Sequence, residues 1–218
     1  VLDAPHVGRN LQDHLGSDNY YISKVQSLNQ ALRPLLGKVK AAVHYALMRK
    51  GPLSLSLNQG GGFVRLSEAS QGPDLQLYFS PVSYTRAPIG VRPLMTPDPF
   101  RGFLMGFNPC KPTSVGHLQI KSPDPFVAPE IHPNYLDTEH DRALMIAGTR
   151  LLRQIADTDA LRAVIESELR PGADVQTDAA IADYIRQEAW TVFHQCATCR
   201  MGRDPATAVV DPQLKVHG

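Results

Sequence analysis

The order of apolar and polar positions divides the chain into an irregular start, a helical stretch, a strand-rich middle and a helical end. Pro5, Gly8, Asn10 and Gly16 punctuate the start, and Tyr20, Tyr21, Ile22 and Val25 then read as a strand. Ser27 is the expected N-cap of a helix in which Leu28, Leu32, Leu35, Leu36, Val39, Val43 and Leu47 recur at three-to-four spacing. Gly51-Pro52 stops it. Pro34 and Gly37 interrupt the pattern, so two shorter helices fit as well as one long one.

From 52 to 126, proline and glycine are dense and the apolar runs are short. Strands are expected over 62–66, 74–79, 102–107 and 116–120, with Leu75, Leu77 and Phe79 alternating as on a sheet with one covered face. Few helical crossovers separate these strands, which favours antiparallel pairing. Pro81 to Pro99 carries five prolines and is expected to be a long surface loop. Helices follow over about Thr138–Ile155, Asp159–Leu169 and from Thr177 through Ile185. The end, from Trp190, reads as loop with a short strand at Val209-Val210. The pattern predicts an α+β fold, an antiparallel β-sheet with helices covering one face. The chain is expected to divide into an opening segment at 1–18, a folded domain at 19–190 and a loop-rich end at 191–218.

Composition narrows the function. The chain has 218 residues, 43% hydrophobic and 20% charged, with a formal net charge of +1. That is enough apolar surface to exclude intrinsic disorder. The near-neutral average argues against nucleic acid or an acidic lipid as a general partner. No apolar run approaches the roughly 20 residues of a membrane span, and the start lacks the pattern of a signal peptide. Three cysteines are too few for a disulfide scaffold, so a reducing, cytoplasmic setting is expected.

The chemistry concentrates in Thr191-Val192-Phe193-His194-Gln195-Cys196-Ala197-Thr198-Cys199-Arg200-Met201-Gly202. His194, Cys196 and Cys199 could be metal ligands, but their spacing would crowd the ion and no fourth ligand is evident. The Cys-x-x-Cys pair reads either as a redox couple or as two small apolar residues, the second being favoured because the pair does not open a helix. His194 suits proton transfer near neutral pH, or a structural hydrogen bond.

These residues resemble the C-terminal signature of the glucose-methanol-choline (GMC) oxidoreductases, which usually reads His-Pro-x-Gly-Thr-Cys-x-Met-Gly. Val7-Gly8-Arg9-Asn10-Leu11-Gln12-Asp13-His14 is similar to the family's Gly-x-Asn-Leu-Gln-Asp-His segment. Ser122-Pro123-Asp124-Pro125, Pro133-Asn134-Tyr135-Leu136 and Asp141 match its entry into the substrate domain. The resemblance implies an FAD-dependent alcohol oxidoreductase, with hydride passing from an alcohol carbon to flavin N5 and His194 handling the hydroxyl proton. It places Asn10, His14 and Asp211 toward the cofactor, and Asn58, Gln59 and Phe63 toward the substrate. Gly60 to Gly62 equally suit a tight turn or bulge.

The sequence departs from the family pattern at four positions. Gln195 stands at the common Pro and Ala197 at the common Gly. Gln59 stands where choline-oxidising relatives carry an acidic residue, which favours a neutral primary or aryl alcohol over choline. A Gly-x-Gly-x-x-Gly dinucleotide fingerprint is missing, since Arg65 occupies the third glycine position after Gly60 and Gly62. The chain is therefore expected to be an internal fragment, missing the FAD domain, with negligible FAD affinity and no turnover alone. Self-association through exposed apolar surface is expected, and membrane association through an electron acceptor is left open. The rival readings are a non-catalytic association domain and a Cys-x-x-Cys redox or metal protein.

Overall fold

The computed structural model describes residues 3–85 and 96–218. Two compact units are interleaved along the chain. The first comprises 1–16, 109–144 and 190–218, and the second comprises 17–108 and 145–189. Residues 109–144 thus group with the two ends rather than with the strands that precede them in sequence.

The second unit is the sheet. Strand β1 (Leu15–Ser23) is followed by helices α1 (Leu28–Leu32) and α2 (Leu35–Met48), then β2 (Gly60–Val64) and β3 (Leu75–Ser80). Pro34 breaks the helical stretch in two, with an extended ψ of 142° at that residue. Ser27 caps α1 in a capping box with Gln30. Most of the proline-rich loop expected over 81–99 lies outside the described residues. At its ends, β4 (Tyr84–Thr85) pairs with β5 (Thr96–Pro97). Strand β6 (Gly102–Pro109) then runs antiparallel to β1, from Ser17 opposite Phe107 to Ile22 opposite Gly102. The sheet continues from β6 to β3 and then β2.

Every residue of β6 and nearly every residue of β1 is buried. Both faces of the central strands are covered, so their sequence shows no clean alternation. Leu75, Leu104 and Phe107 are almost fully enclosed. Helix α3 (Glu139–Ala156) lies against β6 at Gly148, where an added Cβ would meet the Phe107 ring at 2.2 Å. Tyr184 of α5 (Asp178–Glu188) donates from its hydroxyl to the Asp18 carbonyl of β1 at 2.7 Å. Thr177 caps α5, accepting from the Ala180 amide.

One expected helix is mostly a strand. Helix α4 covers only Asp159–Arg162, and β9 (Ile165–Arg170) pairs antiparallel with β1. The run of Ala, Leu, Glu and Arg favours helix locally. Pairing with the open edge of β1 satisfies a row of backbone groups and overrides that preference. Glu168 also gains a partner there, since the Arg153 guanidinium reaches its carboxylate at 2.8 Å.

In the first unit, β7 (His117–Gln119) and β8 (Glu130–His132) form a hairpin. Asp141, at the start of α3, is buried and accepts from the Thr113 and Ser114 amides and the Thr113 hydroxyl. Strand β10 (Trp190–Thr191) pairs with the first residues of β1, Leu15 opposite Thr191 and Gly16 opposite Trp190.

Candidate active site

The segment Gly8 to His14 lies between two stretches of the first unit. On one side, Leu11 and Gly116 exchange backbone hydrogen bonds at 3.0 and 2.8 Å, and the Leu118 amide donates to the Gly8 carbonyl at 2.8 Å. On the other side is the His194 loop. Gly8 donates to the Thr198 carbonyl at 2.8 Å, Gln12 and Cys196 exchange bonds at 3.2 and 2.9 Å, and the Val192 amide donates to the His14 carbonyl at 3.1 Å. Gly8 has φ of +83°, and a Cβ there would meet the Leu118 carbonyl oxygen at 2.2 Å. Only glycine fits this crossing.

Asp13 sits at the centre, 5% exposed. One carboxylate oxygen accepts the His194 amide at 2.9 Å. The other accepts the Tyr135 hydroxyl, the Thr191 hydroxyl and, at 3.2 Å, the Gln195 side-chain amide. Burial alone would raise the Asp13 pKa. The hydrogen bonds from Thr191, Tyr135 and the His194 and His14 amides outweigh it and hold the carboxyl below its ordinary value. Tyr135 moves the other way, pushed up to about 12 by burial and then by its bond to Asp13. The pair is therefore an anion and a neutral donor across the physiological range.

That network shapes the loop bearing His194. Thr191 Oγ1 accepts from the Phe193 amide at 2.9 Å and from the Gln195 side chain at 3.0 Å. Phe193 and Ala197 both take positive φ, +61° and +68°. A turn with a left-handed residue on either side of the histidine projects the imidazole into the exposed position it occupies. His194 Nδ1 lies 3.4 Å from His14 Nδ1, and the rings meet edge to face. One imidazole donates and the other accepts across that contact, in which Nε2 of His194 takes no part.

The structure brings His14 and His194 together and sets Asn10, φ +60°, on the same crossing segment. Asp211 also belongs to the first unit, where its carboxylate accepts the Gln213 and Lys215 amides at 2.8 and 2.9 Å and shapes its own turn. Asn58, Gln59 and Phe63 belong to the second unit, all exposed. The Gln59 backbone N–H donates to the Phe79 carbonyl, and Phe63 lies on β2 opposite Gln76. The triglycine is not a turn. Gly60, Gly61 and Gly62 pair with Phe79, Tyr78 and Leu77, and a Cβ at Gly61 would meet the Leu77 carbonyl oxygen at 2.2 Å. Cys196 and Cys199 are exposed and Cys110 is half-buried, and none of the three is in a disulfide among the described residues.

Sequence reasoning singled out the histidines and missed Asp13, Tyr135 and Thr191 as a set. Asp13 and Tyr135 lie inside motif segments, and Thr191 opens the histidine stretch. A signal was present: Asp13 lies two residues before β1, where a carboxylate is expected to be buried only with partners.

Residues 112–218 match the family model described as GMC oxidoreductase. Over these residues the chain carries the C-terminal domain of the GMC oxidoreductase family, and relatives align with it along its whole length. It is 34% identical to the oxygen-dependent choline dehydrogenase of Staphylococcus saprophyticus over 228 residues, which covers all of this chain and 38% of that protein. It is 34% identical to the alcohol dehydrogenase [acceptor] of Pseudomonas putida, again over all of this chain and 38% of the relative. Pyridoxine 4-oxidase from Mesorbium loti superposes with a TM-score of 0.74 at 27% identity, covering 99% of this chain and 37% of that one. The chain thus spans just over a third of the length of the curated relatives it matches. Among the described residues, no helix is long and apolar enough to cross a membrane.

Proposed function

We propose that this chain is the substrate-binding and histidine-bearing part of an FAD-dependent oxidoreductase acting on alcohols. The observation that carries the reading is the exposed His194 imidazole, held by a buried Asp13 through the loop backbone and by His14 through its ring. FAD, when bound, supplies the hydride acceptor. The residues of this chain fit only one end of that cofactor. His14 and His194 suit the reacting end. The pyrophosphate needs a glycine-rich turn opening a helix, and the only glycine cluster here is built into β2.

His194 takes the hydroxyl proton at Nε2 as the alcohol carbon is oxidised. Removing that proton stabilises the positive character that hydride loss builds on carbon. In this reading His194 donates its Nδ1–H to Nδ1 of His14, which leaves Nε2 unprotonated to accept the substrate proton. Asn10, His14 and Asp211 are proposed to lie toward the cofactor, and Asn58, Gln59 and Phe63 toward the substrate. Gln59 brings no charge, so we favour a neutral primary or aryl alcohol over choline.

The test uses the full-length gene product loaded with flavin. With a dye acceptor, a primary alcohol should be oxidised at a higher kcat/KM than choline. His194→Ala should lower kcat/KM for the alcohol by roughly 10²–10⁴-fold with flavin content unchanged. Unimpaired turnover in His194→Ala would remove this residue from the reaction, and choline as the better substrate would overturn the reading of Gln59.

A further inference from the structure

Helix α2 has its apolar side facing out. The inward side is Gly37, Ala41 and Tyr45, with Ala41 buried and the other two half-buried. The outward side carries Leu35, Leu36, Val39, Val43 and Leu47, which are 78, 80, 51, 51 and 77% exposed. At 3.6 residues per turn these five fall within an arc of about 120°. Lys40 borders the arc on one side, and Lys38 borders it on the other. An ordinary surface helix turns such a stripe toward the core.

The sequence on either side of this helix is one-sided in charge. Between Asp18 and Glu68 the chain has seven Lys and Arg residues and no Asp or Glu. The near-neutral total of +1 therefore hides a cationic segment balanced by acidic residues elsewhere. An average over the whole chain says nothing about such a face.

We infer that α2 is a peripheral docking element for an anionic lipid surface. An exposed aliphatic arc with lysines on both edges matches the boundary between headgroups and acyl chains. The leucines and valines enter the apolar side, and the cations reach the phosphates with their stems along the ridge. A second copy docking face to face would set two acid-free cationic segments against each other, which like-charge repulsion opposes. Protein interfaces draw most of their binding from Trp, Tyr and Arg anchors, with Leu and Val under-represented. This arc is aliphatic only. The inference concerns a different part of the chain from the redox reading and does not depend on it.

The test is sedimentation of the full-length, flavin-loaded gene product with phosphatidylcholine vesicles, with and without about 30 mol% phosphatidylglycerol, at about 0.05 and 0.5 M salt. Binding should be about tenfold or more stronger on the anionic vesicles and should fall by a similar factor at high salt. The triple variant Leu36→Ser, Val39→Ser, Leu47→Ser should lose about tenfold of that binding, and so should Lys38→Glu with Lys40→Glu. Hydrogen exchange of residues 35–48 keeps the inference testable if a variant fails to fold, because those amides should slow only when anionic vesicles are present. The inference is overturned if the wild-type protein stays in the supernatant, or if the variants bind as it does. It is also overturned if residues 35–48 are already protected without lipid, covered by a partner copy or by other parts of the full-length protein.

Discussion

At the residue scale, Asp13 is the group on which the site depends. Asp13→Ala would strand the Tyr135 and Thr191 hydroxyls and the His194 amide around a small cavity. With about 1–3 kcal/mol for each buried polar group left unpaired, and partial relief by water, we expect a loss of about 2–4 kcal/mol. Denaturant melts of the wild type and variant measure it, and a loss under about 1 kcal/mol would show the network to be incidental. The same carboxyl ties stability to acid. Its folded pKa is depressed, so its contribution is present above the unfolded value of about 3.9 and is lost as pH falls through the lower folded value. The acid limb of a stability–pH curve should therefore flatten in Asp13→Asn.

Ala197 makes the complementary case. Its φ of +68° places a Cβ in the left-handed region, and the family pattern has glycine there. Ala197→Gly should stabilise by about 1 kcal/mol, because the left-handed strain of about 1–2 kcal/mol is removed at the cost of a more flexible unfolded chain. A thermal melt that moves down instead would mean the turn is held by something other than local backbone preference. The histidine was legible in the sequence because its neighbours form a dense motif. The Asp13 cluster was not, since its members lie as far apart as residues 13, 135 and 191 and meet only through long-range packing.

At the element scale, legibility followed the strength of local signals. Ser27, Pro34, Gly51 and Thr177 marked helix boundaries, and the structure uses each of them as a cap or a break. The strands over 60–64, 75–80 and 102–109 lie within two residues of the runs read from the sequence. Residues 163–169 failed for the opposite reason. Their local preference is helical, and the open edge of β1 that captures them belongs to residues 20–23, far away in sequence. The close approach of α3 to β6 was equally hidden. Gly148 lies inside a helix, where glycine is unfavourable by about 1 kcal/mol, and the Phe107 ring explains its presence. Gly148→Ala should therefore destabilise, by about 1–3 kcal/mol, because the ring lies too close for a methyl group. If the substitution instead stabilised the protein in a urea melt, as helix propensity alone predicts, the contact would not be tight.

At the scale of the whole molecule, the two units divide the expected chemistry between them. The histidine loop and its supporting carboxylate belong to one, and the glycine-rich β2 with Asn58, Gln59 and Phe63 belongs to the other. A pyrophosphate is held by amides that point away from any backbone partner, usually where a glycine turn opens a helix. The three glycines here are set in a ladder with Phe79, Tyr78 and Leu77, so that strand is not such a cradle. The 218-residue chain, purified alone and mixed with FAD, should therefore lose its visible absorbance on desalting while it remains folded. The full-length gene product should keep it. The comparison separates two sources of flavin affinity. Absorbance retained by the chain alone would mean that contacts along the His14–His194 face are strong enough to hold the cofactor without a phosphate site. Absorbance lost by the chain and kept by the full-length protein would assign the affinity to residues outside this sequence, and would leave this chain the two tasks proposed for it, orienting the alcohol and taking its proton.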